Sequence, residues 1–109
     1  MRSAVSSVSQ STVSFVMKLV RTFPDLQGAL DEHLVDFDDM LPHLFMSDVA
    51  RWAESRWQAN TPELKKFAAL ISSAYRYGHS DVQNLLYVSF FEDLTPGSPI
   101  FRAVEKAFR

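Results

Sequence analysis

The sequence predicts an all-α protein, and three observations carry that prediction. Apolar residues recur at spacings of three and four along successive segments. Proline or a Ser/Thr cap stands where most of these segments begin, and glycine or proline where several end. No run of alternating β-branched residues bounded by hairpin signals occurs. At 109 residues the chain fits one domain. Five to six antiparallel helices are expected, forming a small armadillo- or HEAT-like α/α superhelix, with a compact helical bundle as the alternative. The sequence contains no exact internal repeat, so the superhelix rests on helix order alone.

Residues 1–11, MRSAVSSVSQS, are rich in serine and small side chains and predict a mobile N-terminus. A single helical domain then fills 12–109. Val13, Val16, Met17 and Val20, widened by Phe15, Leu19 and Phe23, define a first helix over about 12–22. Pro24 ends it, because the residue before a proline is biased away from helix. Pro24 and Asp25 open a second helix with Leu26, Ala29, Leu30, Leu34 and Phe37 inside and Asp31, Glu32 and Asp36 outside. Gly28 is its weak position. Asp38 and Asp39 predict a break, and Pro42 a short helical turn within 40–46. Ser47 is the expected cap of a third helix reaching about Gln58, with Asp48 in its first turn and Val49, Trp52, Ala53, Arg56 and Trp57 on one face.

The segment 61–94 predicts a helical hairpin. Thr61 caps and Pro62 takes the first position of a helix striped by Leu64, Phe67, Ala68, Ile71 and Ala74. Gly78 is expected as a left-handed cap, and Ser80 with Gln83 as a capping box. Only Gly78 and His79 link the two helices, which forces them antiparallel. The next stripe is Val82, Leu85, Leu86, Ser89 and Phe90. Leu85 to Phe91 is apolar apart from Ser89, so this helix is expected at the centre of the domain. TPGSP at 95–99 is a loop, after which Ser98 caps and Pro99 starts a last helix anchored by Phe101, Val104 and Phe108.

Composition excludes several functions. Without cysteine the chain has no disulfide, no cysteine-ligated zinc and no thiol nucleophile. No apolar run reaches the length of a membrane span, and Arg2 is not followed by a signal-peptide core, so a cytoplasmic location is expected. Charge is uneven along the chain. Residues 1–48 carry three basic and seven acidic side chains, whereas 49–109 carry eight basic and six acidic. No Lys or Arg falls between residues 22 and 50. This acidic half argues against nucleic acid as a ligand, since such domains are ordinarily basic. Arg51 and Arg56 beside Trp52 and Trp57 fit cation–aromatic packing on one helix as well as base stacking.

Two stretches carry a family resemblance. They are 23–52, with Phe23-Pro24, Glu32-His33-Leu34 and Leu41-Pro42-His43, and 77–94, with Ser89-Phe90, Glu92 and Leu94. Together they resemble a family of small bacterial proteins classed as a domain of unknown function. The resemblance implies an armadillo-type α/α superhelix and brings no catalytic residue with it. Small bacterial proteins of this kind include immunity proteins to toxins.

Two function classes follow from the residues. The first is a non-enzymatic interaction module without cofactor. Asp31, Glu32, Asp36, Asp38, Asp39 and Asp48 would form an acidic surface for a basic protein partner, with Trp57 at a helix end as an aromatic anchor. The second is a metal- or small-ligand-binding protein, possible as an enzyme, that uses His33, His43 and the nearby carboxylates. It lacks any ligand signature: there is no HExxH, no EF-hand loop, no GxSxG and no glycine-rich phosphate loop. The first class is therefore the preferred reading, and the sequence leaves the oligomeric state open.

Overall fold

In a computed structural model of the chain, residues 9–37 and 40–109 are described, the Phe37 side chain excepted. Asp38 and Asp39, with the break expected there, lie outside the described residues, as do residues 1–8 of the expected mobile terminus. Six helices and no strand occur among the described residues.

The first helix, α1, spans Gln10–Thr22. It starts two residues before the expected Thr12 because Ser9 is the cap, its Oγ accepting the Thr12 N–H at 3.2 Å. Pro24 ends it as predicted, but a short 3-10 turn, Pro24–Leu26, precedes α2 (Gln27–Phe37). The third helix, α3, runs unbroken from Pro42 to Arg56. The expected short turn at 40–46 is therefore merged into it, and Ser47 is not a cap. Ser47 Oγ instead donates to the His43 carbonyl at 3.1 Å, satisfying a mid-helix serine through the preceding turn.

The hairpin forms as α4 (Pro62–Tyr77) and α5 (Ser80–Leu86). Its joint differs from the prediction in two details. Gly78 has φ −84°, an ordinary extended conformation, so it is not a left-handed cap. The N-cap of α5 is His79, whose Nδ1 accepts the Asp81 N–H at 3.0 Å, while Gln83 Nε2 donates to the Tyr75 carbonyl at 2.7 Å. The predicted Ser80–Gln83 box is replaced by these two bonds. Beyond Leu86 the helix widens into a π-helical turn, Tyr87–Phe91. The widened turn buries two consecutive phenylalanines. Phe90 meets Phe67 at 6.0 Å, and Phe91 stacks on Phe108 at 4.6 Å. The last helix, α6 (Pro99–Phe108), is capped by Ser98 as predicted.

The core confirms most of the expected stripes, but Met17, expected on the buried face of α1, is exposed. Val82, Leu85, Leu86, Ser89 and Phe90 are all buried, and α1, α3, α4 and α6 pack around α5 and its π turn. One helix surrounded by four others is the arrangement of a bundle, whereas in a repeat stack each unit touches only its neighbours. The aromatic residues are mostly core. Phe23, Trp52, Trp57 and Phe67 form one cluster, and Tyr75, Tyr87, Phe91, Phe101 and Phe108 a second. No helix among the described residues is long and apolar enough to cross a membrane.

Candidate functional site

The site is built on α2, which is covered along one narrow stripe. Leu26, Leu30 and His33 are buried at spacings of four and three. The ring of His33 does the work of a cap for the neighbouring helix, since its Nε2 accepts the N–H of Leu41, the N-cap residue of α3, at 2.9 Å. The rest of α2 faces solvent. Leu34, expected inside, is 39% exposed, and Val35 is 82% exposed. Asp31, Glu32 and Asp36 are exposed beside them, as the sequence predicts. Among the described residues no Lys or Arg pairs with these three carboxylates. Asp31 accepts one hydrogen bond at 2.9 Å from Gln27, a neutral partner one turn back.

The other predicted contact residues are placed differently. Asp48 lies on α3 and is engaged by Arg51 at 2.6 Å. Trp57, expected as a surface anchor, is buried, and this corrects its assignment. Its indole Nε1 donates to Glu63 at 3.0 Å, and its ring packs on Trp52 at 5.1 Å and Phe67 at 5.2 Å. A helix-end position leaves a ring exposed only when no other element covers it, and here Phe23, just past the end of α1, and Phe67 of α4 both bring rings to it. Arg56 lies 5.0 Å from the Trp52 ring centroid and pairs with Asp25, so the Arg–Trp pattern is internal cation–aromatic packing.

The histidines of the ligand-binding reading are spent on the fold. His33 Nε2 is occupied by Leu41. His43 Nδ1 shares a hydrogen bond with the buried Ser89 Oγ in the π turn, and Ser47 Oγ reaches the Ser89 carbonyl at 3.3 Å. Among the described residues no three His, Asp or Glu side chains are grouped to hold a metal ion.

A family profile for a domain of unknown function, DUF7674, matches residues 16–108. The chain belongs to the DUF7674 family. The DUF7674 match runs from within α1 to the last residue of α6, so it takes in α2 and both aromatic clusters. No curated protein and no solved structure matches the chain. The exposed apolar pair Leu34 and Val35 is a part of this DUF7674 surface that helical spacing did not reveal. Its signal was Val35 itself, an apolar residue lying off the stripe of Leu26, Leu30 and His33.

Proposed function

We propose that this protein is a non-enzymatic interaction module that docks a basic protein partner on the exposed face of α2. The observation that supports it is the setting of Asp31, Glu32 and Asp36. Among the described residues these carboxylates have no cation partner, and they flank the exposed Leu34 and Val35. An exposed apolar pair supplies contact area that scattered charge does not, and an unneutralised acidic rim steers and selects a basic partner. Asp48 contributes less to the rim, because Arg51 already compensates it. Asp38 and Asp39 extend the same acidic run along the sequence. The resemblance to small bacterial proteins gives this reading its specific form, an immunity-type protein of the bacterial cytoplasm. Its partner would be a toxin whose nucleic-acid cleft is basic.

The test is a titration of the basic partner recovered by salt-eluted pull-down, using the purified protein and an Asp31→Lys/Asp36→Lys variant. Reversing two charges at a steered interface should weaken binding at least about tenfold and flatten its salt dependence, with the helical circular dichroism unchanged. Equal affinity of the variant rejects the α2 face.

A further inference from the structure

On a different part of the molecule, α4 and α6 enclose a groove of about 530 Å³. Leu64, Ala68, Ala69 and Ala103 give it an apolar floor, and Lys65 and Arg102 stand on its rim. Leu64 and Ala68 are buried, so the floor is firm. Small side chains on two neighbouring helices leave room for a third helix to lie close across them. The rim cations have no carboxylate partner among the described residues. Arg102 Nε donates only to the Gly97 carbonyl, at 3.1 Å.

The same chain carries the complementary element. On α2, Asp31, Glu32 and Asp36 have no cation partner among the described residues, Val35 projects at 82% exposure, and a Cβ at Gly28 would meet nothing within 4 Å. Gly28, Asp31, Glu32 and Val35 share one helix face, at spacings of three, four and seven. That face is apolar and small at its middle and acidic at its edges, whereas the groove is apolar along its floor and basic on its rim. We infer that α2 of one copy seats in the α4–α6 groove of a second copy, with Val35 on the alanine floor and the carboxylates against Lys65 and Arg102. The two surfaces differ, so the contact is head-to-tail, and each pair of copies keeps one free groove and one free α2. Assembly then grows with concentration rather than stopping at a closed two-fold dimer. It also competes with partner docking, because both use α2.

Sedimentation of the full chain from micromolar to millimolar concentration tests this, with two charge-reversed variants. Lys65→Glu/Arg102→Glu makes both surfaces acidic, and Asp31→Lys/Glu32→Lys makes both basic. The wild-type chain should show a mass that climbs with concentration and falls in high salt. Each variant alone should associate at least about tenfold more weakly. An equimolar mixture of the two should regain assembly, because acidic and basic surfaces again face each other. All four positions changed are exposed side chains, and unchanged circular dichroism confirms folding before the comparison. A wild-type chain that stays monomeric throughout, or a mixture no more associated than its components, overturns the inference. The groove variant leaves α2 intact, so it should keep full affinity for the basic partner. Loss of self-association alone and loss of partner binding alone are therefore separable results.

Discussion

Gly78 is held in its place by closeness rather than by its backbone angles. Its φ of −84° suits any residue, yet an added Cβ would lie 2.3 Å from the Ala74 carbonyl oxygen. That oxygen also accepts the Gly78 N–H at 2.9 Å, so it is fixed by the end of α4. Gly78→Ala should cost about 1–3 kcal/mol through overpacking at this joint, read as a lower urea midpoint at unchanged slope. A midpoint equal to wild type would mean that the joint opens freely. The sequence marks Gly78 as special for a different reason, a left-handed cap, because a glycine after a helical stripe ordinarily has that role. His33 and Trp57 were harder to place. A lone histidine on an acidic helix gives no sign that its ring will accept the Leu41 N–H. A tryptophan at a helix end gives no sign that Phe23, Trp52 and Phe67 will enclose it.

At the scale of the element, α2 is the helix with the most left open. Helical periodicity correctly gave its existence and its outer carboxylates. It did not give the width of the buried stripe, which depends on how many neighbours cover the helix, and that is a tertiary fact. Leu34 follows His33 by one residue, about 100° around the axis, and falls outside the covered strip. Gly28 sits in this helix with open space where a Cβ would be. Gly28→Ala should therefore stabilise the isolated chain by about 0.5–1 kcal/mol, visible as a higher thermal midpoint at low protein concentration. A lower midpoint would require a contact at Gly28 within the single copy. The continuity of α3 was hidden by Ser47 and Asp48, which read as a helix start. Pro42 is the true first residue, and Ser47 is accommodated by bonding back to His43.

For the whole molecule, Phe67 and Phe90 join the Trp52–Trp57 cluster to the central helix. Phe90 is fully buried in the π turn, which packs on α3, and its ring meets Phe67 of α4. Phe90→Ala should cost about 3–5 kcal/mol in denaturant unfolding, a large part of a small domain's stability. A loss below about 1 kcal/mol would remove the π turn from the centre of the core. The central position of this helix was legible, because a helix apolar on more than one side has to be covered on more than one side. Which helices cover it was not legible. α1 reaches α5 past the 3-10 turn, α2, α3 and α4, and α4 pairs with α6, contacts that short links neither require nor forbid. The π turn has a last consequence, for chain length. One residue fewer between Tyr87 and Phe91 would restore a regular turn and swing every later position by about 100°. Phe91 would then leave its stack on Phe108, and Leu94 would leave the interior. The loop that follows at 95–98 has no such register to keep. Insertions and deletions in relatives of this chain should therefore collect after Leu94 and be rare in the turn before it.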